Sequence, residues 1–292
     1  MNLHIRNILI FAGLTVALVF SASRVDIVEA QRPTKTVVAR AFEPGEELFY
    51  EAEFSRAFLR KLDVADFRFS ASRTGLTGLS ANQEGTGELK PYALTFSADI
   101  ASKGFFTRLF NLRFRERVES TVEPVSFTIQ KTTILDEQGK RVRATEATFD
   151  RGKGKMFWTQ RDPNDPTREP RTSITDFSGQ LQDVLSAIYF IRTKPLEAGK
   201  SFEIFIGDGG HVYRVPVQVV ERKRMKTILG RVNVVRVDPD LFGPERLIYN
   251  EKGQFSLWFT DDSRHIPVGG RIKTDYGTFD IKLKRVVNNP PV

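Results

Sequence analysis

Between Glu46 and Val287 the chain returns again and again to one pattern: short segments of alternating apolar and polar residues, separated by turn-forming ones. A period of two puts successive side chains on opposite faces of an extended backbone, so each segment predicts a half-buried β-strand. In the first, Leu48, Tyr50, Ala52 and Phe54 share one face and Glu47, Glu51 and Glu53 the other. The next carries Leu62 and Val64 in one phase and Phe67, Phe69 and Ala71 in the other, a slip at Ala65-Asp66 that a β-bulge accommodates. Tyr92 to Ile100, Leu112 to Glu119, Val125 to Ile129, Val142 to Phe149 and Lys155 to Thr159 continue the series. Phe202 to Ile206 and Tyr213 to Val219 flank Gly207-Asp208-Gly209-Gly210, a hairpin signature. Ile228 to Val234 changes phase near Val235, and Phe255 to Thr260, Arg264 to Thr274 and Thr278 to Val287 close the series. Roughly a dozen strands predict an all-β, mainly antiparallel fold, a large curved sheet or barrel-like meander, because a flat sheet of that size leaves edges and a face in water.

One stretch breaks the pattern. In Gln180 to Arg192, Val184, Leu185, Ala187, Ile188 and Ile191 recur at helical spacing, with Tyr189 and Phe190 widening the stripe, which predicts a short central helix at about 181–192. Asp183 suits the positive end of its dipole, Arg192 suits the negative end, and Lys194-Pro195 stops it. A helix apolar on nearly every side has to be covered. It either fills the core of the sheet or lies across the mouth of the sheet as a plug or lid, lining a ligand cavity.

The remaining segments read as connections. Ser80 to Lys90 is a Gly-rich loop, Phe105 to Phe110 suggests a helical turn at the rim, and Gln160 to Ser178 is expected to be a polar, mobile loop. The chain divides into a signal peptide (1–30), a polar linker (31–41), one β-rich domain (42–287) and a tail (288–292).

Ile8 to Phe20 is apolar, follows the weakly basic His4 and Arg6, and precedes small residues, the pattern of a cleaved export signal. Cleavage after Ser23 or after Ala30 is possible, with Ala30 preferred; an uncleaved anchor would need a run of about 20 apolar residues, which is longer than this one. The chain is therefore expected to be exported, to a periplasmic or extracellular location. It contains no cysteine, so disulfides, thiolate nucleophiles, Cys-based zinc sites and a lipidated N-terminal Cys are excluded. The net charge is +8, and loss of residues 1–30 leaves it unchanged, since they hold two basic and two acidic residues. For an exported protein the fitting acidic partners are lipid headgroups or other anionic envelope components, and not nucleic acid.

Arg113, Arg115 and Arg117 project from one face of one strand, as an anion-binding strip or as an ordinary solvent face paired with acids such as Glu51 and Glu53. Past residue 30 only His211 and His265 remain, without metal-ligand spacing. Asp261-Asp262-Ser263 beside His265 has the residue types of a hydrolase triad, but neighbours on one turn rarely converge, and they read as turn formers. No catalytic residue, metal ligand or cofactor site is assigned. The candidate ligand-binding residues are Tyr189, Arg192, Trp258, Arg113, Arg115 and Arg117.

Asn111 to Lys131, Leu181 to Val220 and Leu257 to Lys273 resemble the bacterial exported proteins gathered as domain of unknown function 3108, in particular through the Asp183 to Thr193 run and the Trp258 to Pro267 run with its Asp pair. The resemblance implies an exported β-rich single domain and no activity. A looser architectural likeness is to periplasmic lipoprotein carriers, which hold acyl chains in a curved sheet under a helical lid. The reading that results is a non-enzymatic envelope protein that binds a lipophilic or amphipathic component. The alternatives are an adaptor that captures a protein partner at a sheet edge, or an exported hydrolase of envelope polymers.

Overall fold

The alternation is realised in most of the expected strands, but Pro124 to Phe127 form a turn, and the strand expected from Val125 begins only at Thr128. The computed structural model describes residues 45–75, 92–104, 113–249 and 252–288. The expectations for the signal peptide, the linker, the onset of order at Phe42, the Ser80 to Lys90 loop, the Phe105 to Phe110 turn and residues 289–292 lie outside them. In β1 (Glu47–Arg56) Leu48, Tyr50, Ala52 and Phe54 are buried and the glutamates between them are not. β2 (Leu59–Gly75), β3 (Tyr92–Ser102), β4 (Phe114–Glu123), β5 (Thr128–Gln138), β6 (Arg141–Asp150) and β7 (Lys155–Arg161) follow as an antiparallel meander. β8 (Arg171–Asp176) ends that half of the sheet.

The second half starts at β9 (Leu181–Gln182) and the helix α1 (Val184–Arg192), and runs through β10 (Ser201–Asp208), β11 (His211–Thr227), β12 (Gly230–Pro239), β13 (Gly253–Thr260), β14 (Pro267–Thr274) and β15 (Gly277–Val287). All fifteen strands form one sheet, ordered β8-β7-β6-β5-β4-β3-β2-β1-β15-β14-β13-β12-β11-β10-β9. β1 and β15 pair in the middle, so the two edge strands, β8 and β9, are neighbours in sequence. The sheet curls until these edges approach. Thr175 Oγ1 and Ser173 Oγ of β8 donate to Gly210 O in the β10–β11 turn, at 2.5 and 3.4 Å, so side chains join what no ladder closes. That turn needs left-handed backbone at Gly209 and Gly210, φ 57° and 82°, which glycine supplies without strain.

Where structure and sequence reading differ, tertiary pairing is the reason. The polar stretch expected as a mobile loop contains β8, which Lys155 to Gln160 of β7 recruit into the ladder although its own sequence, RTSITD, has little apolar content. The helix starts at Val184 and not at 181, because Leu181 and Gln182 pair in parallel with Phe205 and Ile206 of β10. The slip expected at Ala65-Asp66 of β2 falls just before that pair: Ala52 faces Ala65 and Glu53 faces Asp63, leaving Val64 as the extra residue. The phase change at Val235 comes from the neighbouring strand, where Val220 of β11 is the extra residue between Val219 and Glu221.

The concave face carries the core. Phe54, Phe96, Phe127, Phe259 and Phe279 are each below 2 % exposed. At about 1.5 to 3 kcal/mol for each fully buried side chain, such residues dominate the cohesion of a sheet that has, among the described residues, a single helix as its filling.

Candidate functional site

α1 is held at both ends by buried polar groups. At its start Asp183 Oδ1 accepts from Ser186 N at 2.6 Å while Ser186 Oγ accepts from Asp183 N at 3.0 Å, a reciprocal cap. Asp183 Oδ2 accepts from Ser120 Oγ of β4 and Thr132 Oγ1 of β5, both at 2.5 Å, which ties the cap to the opposite half of the sheet. Gln182 Nε2 donates to Phe127 O at 2.6 Å beside it. At the other end Arg192 donates from Nη1 and Nη2 to the two carboxylate oxygens of Glu46, at 2.6 and 3.0 Å, and from Nε to Arg264 O at 3.1 Å. Arg264 Nη2 reaches Glu46 at 3.2 Å. Both partners of the Arg192–Glu46 pair are fully buried. Burial works to lower the Arg192 pKa, but the attraction and hydrogen bonds of Glu46 outweigh it and hold the guanidinium charged.

Between these anchors the helix has two different flanks. On one, Tyr189 stacks on Phe96 with centroids 3.9 Å apart and planes 11° apart, and Phe190 lies 5.7 Å from Phe127. On the other, Val184, Ala187, Ile188 and Ile191, spaced i, i+3, i+4 and i+7, form one wall of a slot of about 80 Å³. Phe67 and Phe69 of β2, Phe255 and Leu257 of β13, and Ile281 of β15 face them, and Leu241 and Leu247 roof the space. Gly269 and Gly270 of β14 contribute bare backbone: a Cβ at Gly270 would come within 3.3 Å of Leu257 Cδ2 and 3.5 Å of Phe255 Cε2. Tyr50 is the one lining residue with a polar side-chain group, and its hydroxyl donates to Pro267 O at 2.7 Å. Burial raises the Tyr50 pKa well above the phenol value, so the group stays neutral. The slot is thus an apolar concavity with no charged wall.

A second feature, half-buried, lies near the start of α1. Burial, with the neighbouring Asp183 adding to it, pushes the Asp208 carboxyl up to about 7. His265 Nδ1 lies 2.9 Å from Arg192 O, and burial lowers its pKa. The Asp261 to His265 segment acts as a turn, with Asp262 Oδ1 accepting from Arg264 N, His265 N and Thr260 Oγ1. Among the described residues no group of three or more His, Cys, Asp or Glu side chains is arranged to hold a metal ion.

Of the six candidate ligand residues, only Tyr189 and Arg192 come together, with the Arg192 guanidinium 5.4 Å from the Tyr189 ring. Tyr189 faces β3 and Arg192 faces Glu46, so neither lines the slot. Trp258 sits on the face of β13 opposite to Leu257, with Lys223 Nζ 5.1 Å and Arg271 Cζ 5.9 Å from its ring. Arg113, Arg115 and Arg117 are exposed. Arg115 pairs with Asp99 and Arg117 with Glu137; Glu51 and Glu53, the acids expected as their partners, instead bind Lys103, Lys284 and Lys282. Sequence reasoning missed Glu46, the sheet side of the slot wall and Asp208. The glycine pair inside a strand is the signal that could have found the slot, because glycine there marks close approach or missing volume.

A solved structure shares this architecture. The chain is similar to the crystal structure of a beta-barrel-like protein of domain of unknown function DUF1849 from Brucella abortus, at 10% sequence identity and a TM-score of 0.50, covering 85% of this chain and 99% of that one. At that identity the likeness concerns the fold alone. No curated protein matches the chain. Residues 69–284 match the family described as protein of unknown function (DUF3108), which is most of the sheet and all of α1, and the chain belongs to that family.

Proposed function

We propose that this protein is an exported, non-enzymatic envelope protein that receives the apolar end of an amphipathic molecule in the slot beside α1. The observation that carries the reading is the slot wall: a helical stripe and seven sheet strands converge on a space whose single polar side chain is already bonded. A cavity of this chemistry stays dry and favours hydrocarbon. Its volume, about 80 Å³, is well below the roughly 300 Å³ at which whole-ligand pockets begin, so what it takes is the end of a chain or one small ring. The apolar N-terminal run supports export.

The test is binding of a fluorescent apolar probe to the purified protein, with native mass spectrometry of protein prepared gently from an envelope fraction. Saturable probe binding, displaced by a fatty acid and lost in Ala187→Phe, is the expected result. No binding, or equal binding by the filled variant, refutes it. A second reading, capture of a protein partner at the edge of the sheet, draws on β8. This strand ends the sheet and carries Ile174, 65 % exposed, beside its cross-strand neighbour Phe157. Loss of a captured partner on Ile174→Lys, with probe binding intact, would favour that reading.

A further inference from the structure

Away from the slot, five arginines from three strands and one connection surround a single small cavity. Arg141 and Arg143 come from β6, Arg161 ends β7, Arg171 begins β8, and Arg168 lies in the connection between β7 and β8. The register explains the convergence. Arg161 pairs with Ala144 and Gln160 with Arg171, so the ends of three strands bring their guanidinium groups to one corner of the sheet. The cavity they line measures about 90 Å³ and shares no residue with the slot.

The charge of three of these arginines is not balanced. Two carboxylates, Asp162 and Glu169, line the same cavity, but among the described residues neither forms an ion pair with an arginine. Asp162 is occupied locally, with its Oδ1 accepting from Asn164 N at 2.9 Å. Arg141 reaches Asp136 at 3.5 Å and Gln138. Arg161, Arg168 and Arg171 are exposed and have no ion-pair partner among the described residues. Like charges are thus gathered into a concavity where a bound anion would relieve them.

We propose that this cavity binds a phosphoryl group, as free phosphate or as the phosphate of a lipid headgroup. A planar carboxylate is satisfied by a single guanidinium fork, whereas donors converging from several directions suit the tetrahedral array of oxygens on a phosphate. Gln160 Nε2 is committed to Thr145 Oγ1 at 3.2 Å, so its carbonyl oxygen is the group left at the wall, and specificity for an anion comes from the arginines.

The experiment is calorimetric titration of the full chain with inorganic phosphate, and separately with vesicles of phosphatidylcholine, with and without phosphatidylglycerol. The variants are Arg168→Glu/Arg171→Glu and, as a control of equal charge change per site, Arg224→Glu on the exposed part of β11. Saturable phosphate binding, weakened at least about tenfold in the double variant and within about twofold of wild type in the control, is expected for a site of charge-assisted bonds. Saturation by free phosphate supports a soluble source. Binding to phosphatidylglycerol vesicles alone, with the same variant pattern, supports a headgroup. Absence of binding in both arms, or equal loss in Arg224→Glu, overturns the proposal. Should the double variant fail to fold, Arg168→Gln in the β7–β8 connection gives the same test, and unchanged binding there also overturns it.

Discussion

Replacing Glu46 with Gln should cost this protein more stability than any other single loss of a charge. The substitution keeps the volume and removes the anion from between Arg192 and Arg264. Arg192 is wholly buried and Arg264 has a side chain only 9 % exposed, so water cannot take over. Breaking a buried pair while leaving the partner charge in place costs about 3 to 5 kcal/mol. For a domain of this size that lowers the melting temperature by about 10 °C. Urea unfolding followed by tryptophan fluorescence would read the free energy directly, provided the transition is two-state. The double variant Glu46→Gln/Arg192→Met should recover part of the loss, since the wholly buried Arg192 guanidinium is then gone and only the Arg264 side chain at the edge of the site keeps its charge. Salt gives an independent check: screening acts on exposed charges, so the deficit should persist at about 1 M NaCl. A deficit below about 1 kcal/mol, or one that salt abolishes, would mean the pair behaves as a surface contact, and the reasoning would fail.

Asp183→Ala should cost about 3 kcal/mol by urea titration, because it removes the cap and leaves the buried Ser120 and Thr132 hydroxyls without their acceptor, whereas Asp183→Asn should cost less. Asp208, whose folded-state pKa of about 7 lies above the ordinary carboxylate value, keeps its proton longer in the fold than in the unfolded chain. Its stabilising share is complete below about pH 4 and is lost as pH rises through 7. Asp208→Asn should therefore match wild type near pH 4 and exceed it by about 2 kcal/mol near pH 8.5; parallel stability profiles would count against this. Gly277→Ala should destabilise by about 2 kcal/mol in thermal melts, since φ there is 146° and an added Cβ would lie 2.5 Å from Phe54 Cε2.

The strands were legible because each of them buries one face. Leu48, Tyr50, Ala52 and Phe54 announce β1 without help from any neighbour. β8 was not legible, because its residues contribute hydrogen bonds to β7 and few apolar contacts, and pairing of that kind leaves no trace in hydropathy. For the helix, the apolar stripe and the terminal Asp183 and Arg192 could be read, but the split between a flank packed on Phe96 and a flank lining the slot could not. Both flanks are equally apolar, and what separates them is the sheet opposite. Glu46 was hidden for a related reason: the alternation puts it in phase with Leu48 and Tyr50, but an acid at the start of a strand reads as the point where the buried face ends, and only the arrival of Arg192 from a position 146 residues later explains its burial.

These anchors also bear on how a ligand would reach the slot. A lid has to move, and α1 is fastened at both ends to different parts of the sheet by groups that are costly to expose: Asp183 to β4 and β5, and Arg192 to Glu46 ahead of β1. The roof is built differently. Leu241 and Leu247 belong to a segment after β12 that closes mainly on itself, through Ile248 N to Leu241 O, Gly243 N to Ile248 O and the single bridge between Phe242 and Ile248. It belongs to no strand ladder, and Tyr249 at its end is 54 % exposed. Leu241, Leu247 and Ile248 are buried, but a segment held by so few backbone hydrogen bonds opens at lower free energy than elements tied into a ladder. Access to the slot should thus run under the 241–248 segment while the helix stays in place. Hydrogen exchange at neutral pH would test this: amides of Leu241 to Ile248 should exchange at least about tenfold faster than those of Ala187 to Arg192, and should slow when the slot is filled by a probe. Equal protection of the two segments, or faster exchange in α1, would return the gating role to the helix.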